Sequence, residues 1–241
     1  MQQASDFREE SLTLKALIAD LDDAGFEKTT QFKSWTINDV FRHLHFWNKA
    51  VMVATEGDEA FAAFFEGVGA HMMKGGSLPE YEKAYLEDLS GAALREAWAE
   101  LVDETADAYA ALDPSSRVPW AGPSMSARSA ISARQMETWA HGQEVFDVLG
   151  ADREEHDRIR NIVVLGINTF SWTFKVRGET PPEPMPFVSL ISPSGEVWTY
   201  GESQQSNFIQ GDAVEFAQVV TQTRNIGDTS LTVVGDPASD W

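Results

Sequence analysis

The sequence predicts an α+β protein, a helical bundle followed by a smaller α/β domain, and three observations carry that expectation. Four long stretches with apolar residues at helical spacing fall within residues 1–150. Beyond them the proline run Pro181-Pro182-Glu183-Pro184-Met185-Pro186 excludes helix and central strand. Short runs rich in β-branched and aromatic residues, separated by turn residues, follow that run. The expected division is a four-helix bundle over residues 1–150 and a small α/β domain over 151–241.

In residues 6–23, Leu12, Leu14, Leu17, Ile18 and Leu21 recur at mostly helical intervals after Ser5 or Asp6 as a cap, which gives a first helix. A polar connection leads to Ser34-Trp35-Thr36. There Thr36 caps a second helix, and Asp39 completes a carboxylate version of the capping box. That helix runs through Val40, Phe41, Leu44, Trp47 and Val51 to about residue 56. Residues 57–91 stay unassigned, because Phe61, Phe64 and Phe65 suggest a short helix while Gly67, Gly69, Gly75 and Gly76 suggest breaks. Leu94, Trp98, Leu101, Val102, Thr105, Tyr109 and Leu112 give a third long helix over 92–112, ended by Asp113-Pro114. After a loop at 119–124, the fourth helix spans 126–149 and Gly150 closes it. In the second part, residues 157–176 read as helix. Phe187–Ile191 and Val197–Tyr200 flank Ser192-Pro193-Ser194-Gly195-Glu196 as a hairpin, residues 213–223 read as helix and 231–234 as a last strand.

Composition narrows the chemistry. A chain of 241 residues, 43% hydrophobic with 8 Trp and 14 Phe, can fill real cores. Its 38 acidic against 18 basic residues leave a formal charge of −20, which repels a phosphate backbone and an anionic membrane face, so neither nucleic acid nor membrane is an expected partner. Solubility is the plain reading of that charge. The absence of cysteine removes disulfides, thiolate zinc sites, iron–sulfur clusters and Cys nucleophiles together, leaving His and carboxylate as the strong metal ligands. Met1-Gln2-Gln3-Ala4-Ser5-Asp6 shows no basic stretch before an apolar run, and no segment approaches the roughly 18 apolar residues of a membrane span, so the expected location is the cytoplasm. Oligomeric state is left open.

One constellation stands out. Glu137-Thr138-Trp139-Ala140-His141 puts a carboxylate and an imidazole one turn apart, about 40° around the fourth helix. The second helix offers His43 and His45, which point about 200° apart and cannot both face one site. His43, beside the Val40 and Trp47 stripe, is the better third ligand by a modest angle. Two His and one carboxylate suit zinc with one position left for water or substrate, and also iron, nickel or manganese. Glu144, three residues after His141, could be a fourth ligand, a base or a solvated carboxylate. On spacing alone, a metal site and an ordinary polar helix face are evenly matched. His45 reads as an ordinary amphipathic-helix residue, His71 and His156 as solvent-exposed, and Trp47 and Trp139 as core or pocket wall.

The stretch Ser34-Trp35-Thr36-Ile37-Asn38-Asp39-Val40-Phe41-Arg42-His43-Leu44 resembles the second-helix signature of the DinB-like proteins, in particular their mycothiol-dependent maleylpyruvate isomerase branch. Met136-Glu137-Thr138-Trp139-Ala140-His141-Gly142-Gln143-Glu144-Val145 is similar to the fourth-helix signature of the same family. The resemblance covers residues 5–150. It implies that His43, Glu137 and His141 hold a divalent metal, usually zinc, and that the C-terminal domain is sterol-carrier-like and closes over the metal site. Residues 211–224 resemble that domain's helix, which makes Arg224 a candidate to reach an anionic substrate; a helix-end surface cation is the plain alternative.

The function expected from the resemblance is a metal-dependent enzyme using a low-molecular-weight thiol, such as mycothiol or an equivalent, on a small anionic substrate. The thiolate adds to an activated double bond or displaces a leaving group. For a maleylpyruvate-type substrate, addition, rotation about the new single bond and elimination give cis–trans isomerisation. Because the chain has no Cys, the thiol must arrive from outside. The same site also fits metal-assisted hydrolysis with water in the open position, or a metal-stabilised bundle that binds a ligand without turnover.

Overall fold

In the computed structural model, which describes every residue except Asp88, the first helix, α1 (Gln2–Leu17), starts earlier and stops sooner than its apolar spacing predicts. The reason is Asp22, whose side chain accepts the Gly25 N–H at 2.8 Å and caps a separate short helix, α2 (Asp23–Phe26). Aspartate competes for backbone donors better at a helix start than inside a helix. Leu12, assigned to the apolar stripe, is exposed, whereas Leu14 and Ile18 are buried.

The second predicted helix is α3 (Ile37–Ala54), with the capping box in place: Thr36 Oγ1 accepts the Asp39 N–H at 3.1 Å and Asp39 accepts the Thr36 N–H at 3.0 Å. A cap of this kind stabilises a helix start by roughly 1 kcal/mol. The unassigned stretch folds into α4 (Asp58–Met73) and α5 (Leu78–Tyr85). Gly67 lies inside α4, where a Cβ would collide with the Tyr81 hydroxyl of α5. Its glycine therefore marks a close helix approach, which a breaker reading misses. The third and fourth long helices are α6 (Gly91–Ala111) and α7 (Ala127–Leu149), the latter capped by Ser126 and closed by Gly150 in the left-handed conformation at φ 63°. Between them β1 (Arg117–Val118) pairs antiparallel with β2 (Met125–Ser126), two short strands on either side of the loop read at 119–124 that the sequence reading did not assign.

The chain divides into two units, Met1–Asp152 and Arg153–Trp241. In the first, α1 packs on α6 and α7, α3 packs on the same two, and α4 and α5 lie against α3. Phe7, Phe41, Leu44, Leu94, Trp98 and Ile131 are fully buried between the four long helices. Each such side chain contributes about 1.5–3 kcal/mol of transfer free energy. The bundle thus rests on apolar burial, and Tyr109 ties α6 to α3 by donating its hydroxyl to the Val51 carbonyl at 3.0 Å.

The second unit opens with a 3-10 turn at Asp157–Ile159 and α8 (Arg160–Val176), followed by β3 (Phe187–Ile191) and β4 (Val197–Tyr200), the predicted hairpin. A strand absent from the sequence reading, β5 (Phe208–Asp212), pairs parallel with β3 and antiparallel with β6 (Thr232–Val234), giving the order β4-β3-β5-β6. The Gly211-Asp212 pair disguised it as a helix start. Asp212 ends β5 and caps α9 (Ala213–Val220) by accepting the Val214 and Glu215 N–H groups. α9 stops before residue 223 because Gln222 turns left-handed at φ 61°. The chain closes with α10 (Asp236–Asp240), also unread in the sequence, and Trp241 against Phe170 and Phe216. The architecture is α+β. Among the described residues, no helix is long and apolar enough to cross a membrane.

Candidate metal centre

The capped start of α3 sets the rotation of that helix, and with it the direction of His43. Two turns into α3 its Nε2 lies 3.6 Å from Glu137 Oε2, and His141 Nε2, one turn along α7, lies 3.4 Å from the same oxygen. The ligand atoms of His43, Glu137 and His141 all fall within 4.8 Å of one another. Atoms bound about 2.1 Å from one ion in tetrahedral array stand roughly 3.4 Å apart, so the spacing and the N, N, O donor set fit a divalent ion. His45 lies outside the group. It is half-buried, its Nδ1 has no hydrogen-bond partner, and burial together with Lys49 lowers its pKa to about 4.

Sequence reasoning missed the residue behind His43. Glu82 on α5, only 1% exposed, accepts the His43 Nδ1–H at 2.9 Å. That bond fixes the tautomer with the Nε2 lone pair facing Glu137, the arrangement that metal-ligating histidines adopt with an outer carboxylate. The signal that could have found it is Ser77-Leu78-Pro79-Glu80, a capping box with proline in the first turn, which predicts α5 and so places Glu82 on a helix. The glycines before it obscured the pattern.

A second missed residue is Arg134, buried to 1% exposure on α7. Its Nε donates to Asn48 Oδ1 at 3.0 Å and its Nη2 to the Leu44 carbonyl at 3.3 Å. Burial pushes its pKa down to about 10, against the opposing pull of Glu137 and Glu82. The same charges act on the ligands. For Glu137, burial favours the neutral acid, but the His141 and His43 imidazoles beside its oxygen and the Arg134 charge outweigh it and hold the carboxyl well below the usual range. His141 is lowered by burial, with His43 and Arg134 adding to it against the opposing pull of Glu137. Burial also works against a charged His43, yet Glu137 and Glu82 together raise it.

The walls are aromatic. Trp35 stacks on His141 at 5.7 Å with an interplanar angle of 13° and lies 5.2 Å from the His43 ring, while Phe32 meets His141 edge-on at 5.1 Å. Both rings hang from a tight loop in which Lys33 and Ser34 take left-handed φ values of 49° and 59°, and the loop is pinned by the Thr29–Thr36 bridge. Non-glycine residues held in that region carry strain that clusters at functional sites. Trp47, a predicted wall, lies 6.0 Å from His43, and Trp139, the other, is fully buried.

Of the remaining candidates, Glu144 is half-buried on α7 and lies outside the convergent group. Arg224 belongs to the second unit, where it lines a groove of about 740 Å³ with Phe216, Ile226 and Trp241. His71 and His156, expected in solvent, are both half-buried; His71 packs against Tyr81 and fills the space that a Cβ on Gly76 would take.

Comparison with known proteins places these features. The chain is 32% identical, over 237 residues covering 98% of it and 91% of the relative, to an uncharacterized protein of Mycobacterium tuberculosis strain H37Rv. The same identity and coverage hold for an uncharacterized protein of strain CDC 1551. The crystal structure of the mycothiol-dependent maleylpyruvate isomerase is similar in fold at 16% identity, with a TM-score of 0.57 over 91% of this chain and 87% of that one. A histidine-to-alanine mutant of that enzyme gives a TM-score of 0.60 at the same identity and coverage. Residues 7–146, which hold all three convergent ligands, match the mycothiol maleylpyruvate isomerase N-terminal domain. The chain belongs to that family, the branch of the DinB-like proteins to which its second-helix and fourth-helix signatures pointed.

Proposed function

We propose that this protein is a divalent-metal-dependent enzyme of the cytoplasm, with zinc as its ion on His43, Glu137 and His141. It brings a low-molecular-weight thiol such as mycothiol to a small anionic substrate, for maleylpyruvate-isomerase-like isomerisation or thiol transfer. The observation that carries the reading is the convergence of two imidazoles and one carboxylate within 4.8 Å, with no fourth His, Asp or Glu joining them among the described residues. Three ligands leave a position for chemistry, whereas structural zinc sites close theirs with four. The description of the related isomerase as mycothiol-dependent supports a thiol as the partner.

A bound divalent ion supplies Lewis acidity that favours the deprotonated form of a thiol at neutral pH. The chain's own residues do the rest. Glu82 holds His43 in one tautomer, and the two imidazoles, with the Arg134 charge behind them, favour the ionised form of Glu137. Trp35 and Phe32 cover the imidazoles and keep water from them. Glu144, three residues beyond His141, serves in this proposal as the proton carrier, and Arg224 as the cation offered to an anionic group.

The test is thermal unfolding of the protein, metal-loaded and metal-free, against a series of low-molecular-weight thiols, followed by turnover of a maleylpyruvate-type substrate. The expected result is a stabilisation that only the loaded form shows, about 2.7 kcal/mol at a thiol concentration of 100 Kd, with isomerisation dependent on that thiol. Equal response of both forms, or no response to any thiol, contradicts the proposal. Ester hydrolysis without a thiol is the result that favours the hydrolytic alternative.

A further inference from the structure

Arg134 is out of place for a residue of purely structural value. Removing a guanidinium from water is costly unless charge offsets it. Yet its hydrogen bonds end on neutral oxygens, Asn48 Oδ1 and the Leu44 carbonyl. A Gln or Met at this position would fill a buried helix contact without that cost. What favours the cation is its position: Glu137 lies one turn along α7 from it, its hydrogen bonds reach α3 next to His43 at Leu44, and Glu137 and Glu82 pull on it through space; those two carboxylates border the ligand cluster from opposite sides of His43, at its Nε2 and Nδ1.

The balance of these charges has a consequence for ligand choice. With both imidazoles neutral, as metal ligation requires, two carboxylates against one guanidinium leave a single net negative charge. That sign draws a dication in, and the loaded centre then carries a single net positive charge. One further anion neutralises it; a neutral ligand does not. Without Arg134 the loaded centre is already neutral and loses its electrostatic reason to take an anion.

We propose that Arg134 and Glu82 set the charge of the centre so that its open position selects a singly charged anion, of thiolate or carboxylate type, over a neutral ligand. The inference rests on the metal reading above and adds two charge-setting residues outside the ligand set.

The experiment loads full-length protein with Co²⁺ and follows its visible spectrum during titration with azide, a small anion, and with imidazole, a neutral donor. R134M is expected to weaken azide binding about tenfold or more, as loss of a neighbouring unit charge in a poorly solvated site implies, to leave imidazole within about twofold, and to tighten Co²⁺ itself. R134K keeps the charge without the planar fork and should retain most of the azide preference, which a purely structural role would not predict. E82Q can still accept from His43 while losing its charge, and should move both affinities the other way, with azide tighter and Co²⁺ weaker. Should R134M fail to fold, the opposite shifts in E82Q decide the matter alone. Parallel changes in azide and imidazole, or none in either, overturn the proposal while the metal centre stands. Wild-type protein that binds no stoichiometric Co²⁺ overturns the centre and the proposal together.

Discussion

His141→Ala is expected to leave the fold intact and abolish stoichiometric metal binding. The imidazole lies against Trp35, Phe32 and the His43 ring, and its Nε2 is 3.4 Å from Glu137. It forms no part of the apolar core between α1, α3, α6 and α7. Truncation therefore removes one of three donors without opening a cavity among the large buried side chains. The loss of affinity should exceed the roughly 10–100-fold that removal of an outer partner costs. Metal analysis after dialysis, with unfolding of the metal-free protein as the control for structure, checks it. Retention of one ion per chain would show that the ion sits elsewhere. A fall in metal-free stability comparable to a large core truncation, about 3–5 kcal/mol, would show that His141 serves packing instead.

The second large effect is expected from a residue that never touches the ion. Glu82→Ala removes the acceptor of the His43 Nδ1–H from a nearly solvent-free position. The imidazole is then free to rotate, to change tautomer and to carry its proton on Nε2, where a ligand needs a lone pair. Metal affinity should fall about 10–100-fold, with no change in the identity of the ligands. Stability of the metal-free protein should fall as well, because a buried donor left without a partner costs about 1–3 kcal/mol. Competition for the metal against a chelator of known affinity, in wild type, E82A and E82Q, separates the two effects. The conservative variant should recover part of the affinity through its remaining acceptor oxygen. If E82A binds metal as tightly as wild type, Glu82 is a buried helix-packing carboxylate and no part of the centre.

The sequence made the bundle legible because its helices declare themselves locally. The Thr36–Asp39 capping box, the Ser126 cap and Gly150 mark helix limits with side chains that act within a few residues, and α3 and α7 end close to where those signals lie. Elements set by distant partners were harder to read. Gly67 looks like a breaker until Tyr81 is packed against it, and β5 looks like a helix start until β3 and β6 supply its hydrogen bonds. Leu12 fits a helical stripe in spacing yet faces water, because spacing does not say where the neighbouring helices stop.

The candidate site divides along the same line. Glu137 and His141 are paired by helix geometry alone, and rotation modestly preferred His43 over His45, a preference that the convergence of His43 with the other two matches. Glu82 and Arg134 carry no pattern of their own. Each matters through a contact between helices: α5 against α3 for Glu82, and α7 against α3 for Arg134. Buried charge is the least visible property of a sequence, since Glu and Arg ordinarily mark solvated faces.

The most direct measurement is a crystal structure of the protein grown with zinc, with anomalous diffraction recorded on both sides of the zinc edge. The account predicts one peak, about 2.0–2.2 Å from His43 Nε2, one Glu137 oxygen and His141 Nε2, with the fourth position filled by solvent or an added thiol and the Glu82–His43 hydrogen bond retained. A peak elsewhere, a fourth protein ligand closing the sphere, or no peak between α3 and α7 would contradict it.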